Sequence, residues 1–164
     1  MIIRDATAED LAGIVEIYNE TVPTRQATAD LEPVSVQGRV PWFERHNPQR
    51  HPLWIAEVAG ALAGWLGFEL FYGRPAYAET AEVSVYVAAA HRRRGVGDRL
   101  LERAIARGPQ LGLSSLLALV FAHNEASVGL FAKHSFQSWG RLPRIARLDG
   151  VERDVLILGR RVGD

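Results

Sequence analysis

The stretch "HRRRGVGDRL", residues 91–100, places three consecutive arginines beside two glycines, just before an apolar repeat of helical spacing. Glycine lets backbone N–H groups approach a ligand closely, and the first turn of a helix adds partial positive charge. Guanidinium groups bind phosphate oxygens through paired hydrogen bonds. Three cations at a helix start also oppose the helix dipole unless an anion is bound there. The stretch therefore predicts a site for a phosphate-bearing ligand.

Two common phosphate-binding motifs do not fit this stretch. A P-loop requires G-x-x-x-x-G-K-[ST], but the only lysine, Lys133, follows Ala132. A dinucleotide fingerprint requires G-x-G-x-x-G, and Leu100 stands at the third glycine position after Gly95 and Gly97. The P-loop is excluded and the dinucleotide site is disfavoured.

A second set of chemical groups lies just before the arginines. The segment "EVSVYV" alternates, so that a strand would carry Glu82, Ser84 and Tyr86 on one face and three valines on the other. A carboxylate on such a polar face is a candidate general base. The structural alternative is a glutamate paired with an arginine. Because the chain has no cysteine, disulfides, thiolate metal sites and a cysteine nucleophile are excluded, and no metal is expected.

The composition is that of an ordinary globular protein. A length of 164 residues suits one domain, predicted to span residues 1–164. A net charge of zero gives no reason to expect nucleic acid or a membrane surface as a partner. The start "MIIRDATAEDL" lacks a signal-peptide pattern, and the longest apolar run, "LLALVFA", is too short to span a bilayer. A cytoplasmic location is expected.

Hydrophobic periodicity predicts the element order β α α β β β α β α β β, an α/β (α+β) fold with a single mixed sheet. Thr7 is expected to cap the first helix, and Pro41 to bend the second or delay its start. Residues 59–61, Ala-Gly-Ala, predict a hairpin turn between two apolar strands. Asn124 is expected to cap the last helix.

The arginine loop resembles a known family signature. Arg92-x-x-Gly95-x-Gly97, between a strand and a helix, is similar to the acetyl-CoA motif R/Q-x-x-G-x-G/A of the Gcn5-related N-acetyltransferases (GNAT). The stretches "TAEVSVYV", "NEAS" and "LFAKHSF" resemble the phosphinothricin and methionine sulfoximine acetyltransferase branch, as do "IYNETV", "ATADLEPVS" and "WIAEVAGALAGW". The resemblance covers roughly residues 2–140 and weakens afterwards.

This resemblance implies the GNAT fold and an acetyl-CoA co-substrate. In such a fold two parallel strands splay apart, and the acyl-CoA arm lies in the gap against exposed backbone, here that of Val85 and Val87. Seven residues would wrap the pyrophosphate, mostly through main-chain N–H groups: Arg92, Arg93, Arg94, Gly95, Val96, Gly97 and Asp98. Asn124, Ser127 and Lys133 would contact the CoA arm, although Asn124 is explained equally well as a helix cap.

The resemblance also implies direct transfer of acetyl to an amine, which agrees with the absence of cysteine. Glu82 occupies the position of the family's glutamate base. A carboxylate near pKa 4.3 is a weak base for an ammonium near pKa 10, so burial or a water relay would have to assist it. The proton donor is open, because Phe131 stands where many relatives have tyrosine or histidine. Tyr86, His134, water or unaided departure of the thiolate are the alternatives.

The implied acceptor is the amino group of a small amino-acid-like substrate, of the phosphinothricin or methionine sulfoximine type. Arg74 and Tyr77 lie where this branch binds the carboxylate-bearing substrate, and Ser84 and Trp42 would line the site. The alternatives are a protein N-terminus or other amine as the acceptor, or a CoA-binding regulatory module without turnover. Relatives are commonly homodimers, so a homodimer is expected, and the apolar "VLIL" of the closing strand is a candidate interface.

Overall fold

The computed structural model describes residues 1–163, so that Asp164, the last residue of the predicted domain, lies outside the described residues. It contains one seven-stranded sheet in the order β1-β2-β3-β4-β5-β7-β6. The strands are β1 (Ile2–Asp5), β2 (Leu53–Val58), β3 (Ala61–Leu70), β4 (Thr80–Val87), β5 (Ser115–Phe121), β6 (Gln137–Leu148) and β7 (Val151–Arg161). The helices are α1 (Leu11–Thr21), α2 (Val36–Glu44), α3 (Val96–Arg107) and α4 (Glu125–Lys133). The predicted element order is confirmed.

The parallel strands β4 and β5 stay together over a short length only. They pair from Thr80 with Ser115 to Glu82 with Leu117, and within residues 1–163 no pair joins them beyond that point. All other neighbouring strands run antiparallel. The predicted mixed sheet with a splayed parallel pair is confirmed, and a gap opens between the last residues of β4 and β5.

The two faces of β4 belong to different parts of the core, as its alternation predicts. Val83 is buried, and Val85 and Val87 pack partly against the same core cluster, which contains the apolar face of α3. Tyr86, on the other face, packs with Trp65 and the buried side chains of α1. The Glu82, Ser84 and Tyr86 face is therefore the one covered by α1 and α2.

Local signals explain where the elements start and turn. Ser35 caps α2, because its hydroxyl accepts a hydrogen bond from the Gly38 N–H at 2.9 Å. Pro41 lies inside this helix, so the expected delay of the helix start does not occur. The β2–β3 turn has positive φ at Ala59 and Gly60, as a tight hairpin turn requires. Among residues 1–163, no helix is long and apolar enough to span a bilayer.

Candidate active site

The loop between β4 and α3 presents unpaired backbone N–H groups. Gly95 caps α3 with φ of 80°, a left-handed conformation that glycine adopts without strain. Among residues 1–163, no acceptor pairs with the N–H groups of Val96, Gly97 or Asp98. Three N–H donors at a helix start form an anion-binding site, because they add to the positive end of the helix dipole.

A large groove of about 710 Å³ begins at this loop and runs along the last residues of β4 to α4 and the loop that precedes it. The structure brings together almost all residues predicted to bind the cofactor, since the groove is lined by Val85, Val87, Arg92, Arg93, Gly95, Val96, Gly97, Asp98, Asn124, Ser127 and Lys133. Arg94 is predicted with them but is not among the lining residues.

The groove exposes one backbone edge of β4. The Ala88 N–H donates to the Ala63 carbonyl on β3 at 2.9 Å. Because N–H and C=O groups alternate in direction along a strand, those of Val85 and Val87 face the opposite edge, from which β5 has diverged. The side chain of Arg92 donates from Nε to the Val87 carbonyl at 3.3 Å, which places that carbonyl on the open edge.

Two polar clusters hold in place α4, which forms one wall of the groove. Asn124 Oδ1 accepts from the Ser127 N–H at 3.2 Å, and Asn124 Nδ2 donates to Ser127 Oγ at 3.1 Å. Asp98 bonds to Lys133 Nζ at 2.8 Å and to His134 Nε2 at 2.9 Å. The hydrogen bonds from Lys133 and His134 lower the pKa of Asp98. These contacts attach α4 to the start of α3.

A second, smaller cavity of about 170 Å³ lies between α1, α2, β3 and β4. Its lining includes the predicted residues Trp42, Ser84 and Tyr86, and also Tyr18, Arg39, Trp65 and Glu69, which the sequence did not single out. One signal was available for Arg39, since it precedes Trp42 by three residues and therefore lies on the same helix face. The others depend on strand register and helix packing.

Tyr86 lines both the groove and the small cavity, so the two meet at this residue. Its ring stacks on Trp65 at a centroid distance of 4.6 Å, and its hydroxyl donates to the Ala27 carbonyl at 3.4 Å. Burial raises the pKa of Tyr86, so the phenol stays protonated at neutral pH. A neutral hydroxyl thus stands at the junction of the two spaces.

Glu82 lies directly opposite Glu69 in the β3–β4 register. Glu69 lines the small cavity and accepts a hydrogen bond from Trp42 Nε1 at 2.5 Å. Glu82 is half-buried and is not itself among the lining residues, but its strand neighbour Ser84 is. Burial raises the pKa of Glu82, and the charge of Glu69 raises it further. A raised pKa makes Glu82 a stronger base than an exposed glutamate.

Comparison with known proteins identifies the family. The model of the acetyltransferase (GNAT) family matches residues 11–136. The chain belongs to the GNAT acetyltransferase family. As its members do, this enzyme is an N-acetyltransferase that uses acetyl-CoA. The resemblance found in the arginine loop is confirmed.

The acetyltransferase is similar along nearly its whole length to named relatives. It is 49% identical over 161 residues to the Bacillus subtilis protein named "Putative phosphinothricin acetyltransferase YwnH", covering 98% of each chain. It is 35% identical to the L-methionine sulfoximine/L-methionine sulfone acetyltransferase of Pseudomonas aeruginosa, covering 90% of this chain and 87% of that one. A solved phosphinothricin acetyltransferase of Sinorhizobium meliloti in complex with AcCoA has a TM-score of 0.93 at 28% identity, covering 99% of this chain and 88% of that one.

Phe131 is a core residue of the acetyltransferase. It is 4% exposed and packs edge-on against Phe136 at a centroid distance of 5.0 Å. It has no proton to donate, and the neighbouring His134 is already bonded to Asp98. Among residues 1–163, no group of three or more His, Asp or Glu side chains is arranged to hold a metal.

Arg74 and Tyr77 are not brought to either cavity of the acetyltransferase. They lie in the exposed connection between β3 and β4, where Arg74 precedes a short turn. Tyr77 packs edge-on against Phe71 and Tyr72 at centroid distances of 5.6 and 6.0 Å. A substrate-binding role for both residues stays a prediction.

Proposed function

We propose that this acetyltransferase acetylates the α-amino group of a small amino-acid-like substrate of the phosphinothricin or methionine sulfoximine type. The observation that carries the proposal is the meeting of the two cavities at Tyr86. The groove suits an extended donor with a pyrophosphate, and the smaller cavity beside it suits a small acceptor. The names of the Bacillus and Pseudomonas relatives support the same substrate class.

The donor-binding residues fit a pyrophosphate and an extended amide-bearing arm. Acetyl-CoA supplies an activated acetyl group as a thioester. The N–H groups of Val96, Gly97 and Asp98 would hold the pyrophosphate, with Arg92 and Arg93 beside it. The open backbone edge of Val85 and Val87 would pair with the arm and donate to the carbonyl oxygen as negative charge develops there.

Proton movement is assigned to two side chains of β4. The amine must be neutral to form the new N–C bond, and Glu82 would take its proton directly or through one water. The tetrahedral intermediate then loses a second proton from nitrogen to solvent, the C–S bond breaks, and the sulfur accepts a proton and leaves as the free thiol. Tyr86 is the proposed donor of that proton, because it lines both the groove and the small cavity. Glu82 and Tyr86 are thus proposed as the catalytic residues.

The test is release of free thiol from acetyl-CoA, measured against free amino acids, simple amines and short peptides. We expect turnover with L-phosphinothricin or L-methionine sulfoximine and not with peptides. Preferred turnover of a peptide would instead support a protein N-terminus as the acceptor. Tight CoA binding without turnover of any amine would show a regulatory module and contradict the proposal.

We further propose that the whole chain forms one acetyltransferase domain that works in the cytoplasm as a homodimer. The "VLIL" segment lies in β7, between β5 and β6, so its contacts within the sheet account for it. The edge strand β6 instead carries exposed apolar side chains, with Ile145 61% and Trp139 45% exposed. An exposed apolar edge strand supports pairing with a second copy. Sedimentation equilibrium would measure the assembly state.

A further inference from the structure

The small cavity contains an arginine for which the catalytic scheme above has no use. Arg39 lies over the ring of Tyr18 at 4.7 Å and over that of Trp42 at 5.5 Å. Both aromatic residues line the cavity with it. The side chain of Arg39 is only 25% exposed. The guanidinium group of Arg39 therefore places a positive charge, packed against two aromatic rings, in the wall of the small cavity.

Most hydrogen-bond donors of this guanidinium are unused. Its only acceptor among residues 1–163 is Asp30, which receives a single bond from Nη2 at 3.3 Å. Asp30 also accepts from the Tyr18 hydroxyl, so its negative charge is shared. A guanidinium group has five N–H donors in a planar fork that matches a carboxylate. Because Asp30 uses only one of these donors, the others are available to the carboxylate of a bound ligand.

The same cavity has another unused donor and one negative group. Trp65 is 3% exposed, and among the described residues its Nε1 has no hydrogen-bond partner. Glu69 bonds to the nitrogen edge of Trp42, whereas Arg39 lies over the face of that indole. The cavity thus combines a cationic wall with a carboxylate. This charge arrangement complements a zwitterion, whose carboxylate and ammonium group are joined by one carbon.

We propose that Arg39 binds the α-carboxylate of the acceptor and so selects free amino acids over amines and peptide N-termini. The inference rests on the proposed function and deepens it. With the carboxylate on Arg39, the amino group is directed toward Glu69 and Ser84, beside Tyr86 and the groove. A peptide N-terminus has an amide in place of this carboxylate and therefore offers the guanidinium no second charged acceptor beside Asp30. Arg39 is thus a specificity-determining residue of the acceptor site.

The test compares a free acid with its amide. Steady-state kcat/KM is measured for L-methionine sulfoximine and for its carboxamide, with wild type, Arg39→Met, Arg39→Lys and Arg45→Met. Arg45 directly follows the same helix but is exposed and lines neither cavity, so it is a matched control. We expect Arg39→Met to lower kcat/KM for the acid on the order of 100-fold, with little change for the amide. Arg39→Lys should restore part of this loss. Arg45→Met should leave the selectivity for the acid over the amide unchanged.

The KM for acetyl-CoA and the thermal midpoint report whether the Arg39 variants fold. Wild-type-like selectivity for the acid in folded Arg39→Met and Arg39→Lys would overturn the inference, as would an equal loss for the acid and the amide. An Arg74→Met variant serves as the competing arm. Loss of acid selectivity in that variant alone would assign the carboxylate to Arg74 instead. Failure of the proposed function is distinct, because wild type itself would then acetylate no amino acid.

Discussion

Glu82 and Glu69 show how one position on a strand gains chemistry from its neighbour. They lie opposite each other across β3 and β4, where like charges raise each other's free energy. Burial, followed by the charge of Glu69, raises the pKa of Glu82. The pairing keeps a carboxylate close to the acceptor cavity and makes it a stronger proton acceptor. The rate of acetyl transfer should therefore depend on both Glu82 and Glu69.

Replacing Glu82 by Gln should remove the base while keeping the shape of the side chain. We expect kcat to fall by roughly 10²–10⁴-fold, the usual contribution of general base catalysis. Thiol release at saturating acetyl-CoA measures the effect. Glu102→Gln is the matched control, because Glu102 lies on the exposed face of α3. A Glu82→Gln enzyme within threefold of wild type would show that the base is elsewhere.

Replacing Glu69 by Gln should change the pH profile. Glu82 accepts a proton only when ionised, so kcat/KM rises with pH through its pKa. Since the charge of Glu69 raises the pKa of Glu82, Glu69→Gln lowers that pKa. The acidic limb of the pH profile should shift to lower pH, while the KM for acetyl-CoA stays unchanged. An unshifted acidic limb would contradict the coupling of the two carboxylates.

At the scale of elements, local signals made much of the molecule predictable. The alternation of β4 and the glycines before α3 are properties of consecutive residues, and they located the groove from the sequence. The small cavity was not found in this way. Its residues come from four elements and from the segment before α2, and Glu69 reaches it only through the β3–β4 register. The substrate-binding role of Arg74 stays a prediction, because the packing of its connection is not encoded in nearby spacing.

Gly97 tests how closely α3 approaches the groove. A Cβ at this position would lie 3.2 Å from Leu130 Cδ2 and near the side chains of Val85 and Val87. Gly97→Val should lower the free energy of unfolding by about 1–3 kcal/mol and raise the KM for acetyl-CoA. Gly13→Val is the control, since its Cβ would meet Leu62 Cδ1 at the same 3.2 Å but far from the groove. Urea unfolding and steady-state kinetics measure both effects.

The two glycine variants separate packing from binding. Both should lose stability, because each adds methyl groups to a close helix contact in a first helical turn. Only Gly97→Val should weaken the binding of acetyl-CoA. An equal rise in the KM for acetyl-CoA in both variants would show that the effect is general destabilisation and not closure of the groove.

For the molecule as a whole, the splayed strands predict strong stabilisation by the donor. The gap beyond Glu82 and Leu117 leaves one backbone edge of β4 unpaired. The arm of a bound acetyl-CoA would supply the missing hydrogen-bond partners. At a free acetyl-CoA concentration of 100 times Kd, ligand binding raises the free energy of unfolding by about 2.7 kcal/mol. For a chain of this length that corresponds to a rise in Tm of roughly 5–10 °C, measurable by differential scanning fluorimetry.

The arginine loop should carry much of this stabilisation, because the molecule has no net charge to attract an anion elsewhere. Arg92→Ala with Arg93→Ala should weaken binding about tenfold, which at the same concentration leaves about 1.4 kcal/mol and half the rise in Tm. Added salt should narrow the difference between the two proteins, since exposed charges are screened within about 10 Å at 0.1 M. An equal rise in Tm for both at low salt would mean that the backbone N–H groups of Val96, Gly97 and Asp98 hold the pyrophosphate without the arginine side chains.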